Sequence, residues 1–105
     1  MDITEALRRI QEAAKGRQFR DPDTKAHYPA TEVAISAHLE RDGRIRFLTW
    51  FRHSYAASSR HIAAASLPEL VEKAIAAAQA MPLAYTADDV ARTLGVEPAR
   101  QVAAE

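Results

Sequence analysis

Four histidines are the residues of this chain best suited to bind a metal or move a proton: His27, His38, His53 and His61. Their spacing argues against both roles. Zinc needs three or four convergent ligands. No two of these histidines stand four apart on a helical stretch, and no acid cluster shares their segments. The chain has no cysteine, which removes thiolate ligands, thiol nucleophiles and disulfides. Ser54, Ser58 and Ser59 lie near His53 and His61, but no nucleophile elbow surrounds them. With three glycines in all, a phosphate cradle has little to be built from. The expectation is a protein that is not an enzyme and holds neither a metal nor a cofactor.

Binding chemistry is better represented. Between Asp42 and Glu69 there is no acidic residue, while the same interval holds Arg44, Arg46, Arg52 and Arg60 and the one tryptophan, Trp50. The stretch RIRFLTWFRHSY, residues 44–55, sets that indole among arginines. Tryptophan and arginine are enriched among residues that dominate binding interfaces. They also stack on bases and meet phosphates. The candidate partner-binding set is Arg44, Arg46, Leu48, Trp50, Arg52 and His38. A second set, Arg17, Arg20, Lys25, Arg60 and Arg100, is a candidate for nucleic acid. The competing reading makes Trp50 ordinary core with guanidinium groups at its rim.

The composition limits the choice. The chain has 105 residues, enough for one domain. Of the 48% hydrophobic residues, 23 are alanine, so the core is modest. Formal net charge is zero, giving no bulk attraction to nucleic acid or membrane. Residues 1–61 carry 11 basic and 8 acidic side chains and residues 62–105 carry 3 and 6, so the two parts are oppositely charged. No run approaches membrane-spanning length, and residues 1–15 lack the apolar block of a signal peptide. A cytoplasmic protein without a membrane partner is expected.

The elements that would position these residues are legible in part. Residues 2–15 predict a helix, with Asp2 as cap, a stripe of Ile3, Ala6, Leu7, Ile10, Ala13 and Ala14, and Gly16 as stop. Residues 17–30 read as irregular, with a turn at Asp21-Pro22-Asp23 and anchors at Phe19 and Tyr28, unless they conceal a short strand.

Residues 31–41 and 44–55 predict a β-hairpin. A two-residue turn at Asp42-Gly43 would mix arginines into the apolar face. A three-residue loop, Arg41-Asp42-Gly43, separates the faces instead. Val33, Ile35, Ala37 and Leu39 then join Ile45, Phe47 and Phe51 on one side. The other side pairs Glu40 with Arg44, His38 with Arg46, Ala34 with Trp50 and Glu32 with Arg52. Arg60–Ala65 predicts a third strand, giving a hairpin or three-stranded meander. Residues 67–80 predict a second helix on the same sheet face, capped by Ser66 with Glu69, and burying Leu67, Leu70, Val71, Ala74, Ile75 and Ala78.

Residues 84–105 predict a short helical appendage, with a helix over 86–94. The whole is one α+β domain spanning 1–105. Its α-β-β-β-α order resembles that of double-stranded-RNA-binding domains, whose second helix starts Lys-rich. Here that helix starts LPELVEK and is acidic, so the resemblance implies fold and not function. TADDVARTLGVEPARQVAAE resembles the opening of a helix-turn-helix at Ala91, Gly95 and Val96. Gln101 stands where the next helix should be apolar, and Arg100 is its one cation. A C-terminal clasp packing Val90 and Leu94 is the preferred reading.

The function expected is that of a small binding or regulatory protein that docks a macromolecule, protein before nucleic acid. An accessory or inhibitor protein of a phage or other mobile element has this profile. The alternatives are a nucleic-acid binder and a self-associating homodimer.

Overall fold

A computed structural model describes residues 1–54, 56–83 and Gly95. Asp2 opens helix α1, Ile3–Ala14, by accepting the Glu5 N–H at 2.8 Å. That satisfies one of the amide donors the first turn leaves unpaired. Ala6, Ile10 and Ala14 recur every fourth residue and are buried. Gly16 ends the helix in the left-handed region.

Residues 17–30 do conceal structure. Strands β1, Gln18–Arg20, and β2, His27–Pro29, form an antiparallel hairpin that sets Phe19 opposite Tyr28. The Asp21 carboxylate accepts the N–H groups of Asp23 at 2.8 Å and Thr24 at 3.0 Å, so the turn is held by a side chain. Phe19 is buried and stacks on Tyr28, with ring centroids 6.1 Å apart.

The main sheet is built on β3, Glu32–Leu39, and β4, Ile45–His53. Their register pairs Glu32 with Arg52, Val33 with Phe51, Ala34 with Trp50 and Leu39 with Ile45, as the three-residue loop predicts. The Glu40 N–H donates to the Arg44 carbonyl at 2.8 Å, and Gly43 takes a φ of 84°. At that angle a side chain strains the backbone and glycine does not.

The third strand expected over 60–65 is present as β6, Ile62–Ala64, and a further two-residue strand, β5, Ala57–Ser58, precedes it; both are antiparallel to β4. β5 pairs with Arg52 and His53, and β6 with Phe47, Leu48 and Thr49. Residues 59–61 therefore stand opposite the two residues Trp50 and Phe51, which makes a β-bulge. Ser59 holds the bulge. Its N–H donates to the Phe51 carbonyl at 2.8 Å, and its hydroxyl accepts the Phe51 N–H at 2.9 Å. A serine hydroxyl can replace a ladder carbonyl in this way.

Helix α2, Leu67–Ala80, starts at Ser66, whose hydroxyl accepts the Glu69 N–H at 3.3 Å. Leu70, Val71, Ala74 and Ala78 are buried. Both helices join one core with Phe19 and Phe51, packed by Val33, Ile35 and Ile62. Thr49, buried on this face, donates its hydroxyl to the Ala34 carbonyl at 2.8 Å. The helices do not reach the hairpin tip, where Leu39 is 77% and Ile45 49% exposed. The expected helix over 86–94, the helix-turn-helix-like segment and Arg100 lie outside the described residues. Among the described residues no helix is long and apolar enough to cross a membrane.

Candidate functional site

Alternation along β4 divides its side chains between two environments. Thr49 and Phe51 face the helices and are 0% and 2% exposed. Leu48 and Trp50 face the other way and are half-buried. The third strand repeats the division: Ala64 is buried on the helix side, and its neighbour Ala63 is exposed on the far side. Both helices thus occupy one face of the sheet, and Trp50 lies on the other.

The candidate partner-binding residues share that outer face. From Arg44 at the hairpin tip to Arg52 at its base they span about 26 Å, at ~3.3 Å per residue. Each of the three arginines has a carboxylate partner. Arg44 Nε lies 3.8 Å from Asp42, Arg46 Nε 2.8 Å from Glu40, and Arg52 Nε 4.0 Å from Glu32. The Glu32–Arg52 pair follows the expected register. Glu40 and His38 also keep their expected places opposite Arg44 and Arg46, while the Glu40 carboxylate reaches diagonally to Arg46 and His38 Nε2 meets Ser36 Oγ at 2.8 Å. A diagonal neighbour is within reach of long side chains. These pairs are solvated and individually weak. They leave a surface of alternating charge and not a basic track.

Trp50 has a neighbour that sequence spacing did not indicate. The bulge carries His61 over the indole, with ring centroids 4.5 Å apart and planes at 29°. The edge of the same site is a shallow depression of about 320 Å³ lined by Trp50, Arg52, Ser54, Ser58, Asp21 and Asp23. The two aspartates come from the β1–β2 turn. Amide donors from Thr24 and Asp23 hold the Asp21 carboxyl below its usual range, so it stays ionised. The offered surface is a half-buried indole stacked on an exposed imidazole, with leucine beside it, bounded by both signs of charge.

Of the second set of cations, Arg17, Arg20, Lys25 and Arg60 do not join this face. Arg17 Nη1 donates to the Met81 carbonyl at 2.8 Å, closing the end of α2. Arg20 Nε meets the Lys25 carbonyl at 3.4 Å, and Lys25 Nζ the Pro22 carbonyl at 2.7 Å. Arg20, Lys25 and Arg60 line a separate cleft of about 340 Å³, floored by Phe19, Phe51 and Met81. His53 stacks on Tyr28 with centroids 5.8 Å apart, and its buried Nδ1 has no hydrogen-bond partner. Among the described residues no three histidine or carboxylate side chains converge as metal ligands would. No family model, no curated protein and no solved structure matches the chain.

Proposed function

We propose that this protein is a non-enzymatic docking module that binds another protein, in the cytoplasm, through the outer sheet face centred on Trp50. The observation that carries the reading is Trp50 itself: half-buried, stacked on His61, flanked by Leu48, and on the face away from both helices. A rigid aromatic anchor supplies contact area at low entropic cost, and its remaining desolvation adds affinity on binding. The arginines around it, each within 4.0 Å of a carboxylate, favour a protein surface of mixed charge over a polyanion. A nucleic-acid ligand would have to displace three carboxylates along this face.

The test is capture of partners from the source cell by the parent protein and by Trp50→Ala, with and without nuclease. A protein retained by the parent after nuclease, and lost with Trp50→Ala, supports the reading. Retention that disappears with nuclease and falls steeply with salt favours nucleic acid. That second reading draws on Arg20, Lys25 and Arg60, whose cleft has no acidic lining residue among the described residues. Self-association, the third reading, has its own structural basis in the edge of the sheet.

A further inference from the structure

Among the described residues β3 is an edge of the main sheet, paired on one side by β4 and on the other by no strand. The Glu40 N–H donates to Arg44, and the Ala34 carbonyl accepts from Thr49, so even-numbered residues of this strand direct their peptide groups at β4. Val33, Ile35, Ala37 and Leu39 therefore direct theirs outward. The strand is eight residues long, EVAISAHL. It contains no proline, glycine or lysine, the residues that commonly blunt an edge. Two further features flank it. Leu39 projects on the helix side with 77% of its surface exposed. At the strand's other end a depression of about 300 Å³ lies between α1 and β3, lined by Leu7, Gln11, Thr31, Glu32 and Val33.

We propose that a second copy of this chain pairs its β3 antiparallel along this edge, with the twofold axis at Ile35. Opposed residues in an antiparallel pair project to the same face, so only registers that match like faces are allowed. An axis at Ser36 sets Glu32 against Glu40 of the other copy, twice, which is repulsive. An axis at Ile35 sets Glu32 against His38 of the other copy, twice. It also pairs Val33 with Ala37 and Ile35 with its own equivalent, all through outward peptide groups. Leu39 of each copy then lies opposite Thr31 of the other, beside the Leu7 and Val33 depression. An exposed leucine and an open groove are thus consumed together. The same axis keeps the helices of both copies on one side and places two Trp50 faces on the other. Three strand spacings and a two-residue offset put the two indoles about 16 Å apart. A partner with two sites at that spacing would be held bivalently.

Sedimentation equilibrium on the purified protein tests this without any partner. The parent should sediment at twice the mass of one chain. Leu39→Asp and Ala37→Pro should each weaken the dimer about tenfold or more. Both alter outward or exposed positions of an edge strand, so circular dichroism and the urea midpoint should report a retained fold. His38→Glu opposes like charges twice and should give monomer. Adding Glu32→Lys to it should restore the dimer, a rescue that only the Ile35-centred register produces. A monomeric parent at all concentrations overturns the proposal, as does a dimer indifferent to Leu39→Asp and Ala37→Pro. Trp50→Ala should leave the dimer intact, so failure of the docking reading and failure of this one are told apart.

Discussion

Trp50 sits between a core residue and a solvated one, and His61 is the reason. Ala34, opposite it on β3, is too small to cover an indole. The stacked imidazole lies over the ring, and the side chain stays half-buried. Only part of the burial energy of the side chain is realised in folding. Trp50→Ala should therefore cost about 1–2 kcal/mol in urea titration, against ~3–5 kcal/mol for Phe51→Ala, whose ring is fully inside. His61→Ala should raise iodide quenching of Trp50 fluorescence while changing the urea midpoint little. Unchanged quenching would mean that the stacked pair does not persist in solution.

At the scale of elements, two connections carry sharp expectations. Gly43 closes the β3–β4 loop with φ at 84°, and a Cβ there would meet nothing within 4 Å. The cost of Gly43→Val is then backbone strain alone, about 1–3 kcal/mol, read as a lowered urea midpoint. Gly43→Asn should cost clearly less, because asparagine tolerates the left-handed region. The start of α2 is held by charge. The Lys73 ammonium, and after it the Ala65 N–H, hold the Glu69 carboxyl below its ordinary value. A carboxyl depressed in the folded state stabilises it above the unfolded pKa, and that contribution is lost as pH falls through the folded value. Stability of the parent should decline between about pH 5 and pH 3. Glu69→Gln should flatten part of that decline, as followed by urea midpoints across the range.

Considered whole, the molecule draws on a small core. Among the described residues the large side chains that are fully buried are few, Phe19, Phe51, Ile10, Leu70 and Val71 among the hydrophobic ones, and alanines fill the helix–helix seam. Leu70→Ala should cost about 2–5 kcal/mol, enough to unfold a domain of ordinary marginal stability. Ile75→Ala, on a residue left half-buried at the margin of the same helix, should cost less. Equal losses at the two positions would mean that α2 is rotated from the orientation described.

What the amino-acid order determined by itself were the features repeated over eight residues or more. Both helices, their caps at Asp2 and Ser66, and the side of each that is buried follow from apolar spacing and one capping side chain. The hairpin register also follows, because only one loop length keeps arginines out of the apolar face. Tertiary structure decided the rest. β1, β2 and β5 are two or three residues long, too short for alternation to be read, and they are strands because an existing neighbour offers them a ladder. The bulge at Ser59 is settled by its hydroxyl on the Phe51 backbone, and only that bulge brings His61 to Trp50. Arg17 is drawn to the end of α2 by carbonyls more than sixty residues away in the chain, which no local pattern encodes. Leu39 has the right strand partner in Ile45 and yet stays exposed, since the reach of the helices across the sheet depends on how they pack and not on the hairpin's own alternation.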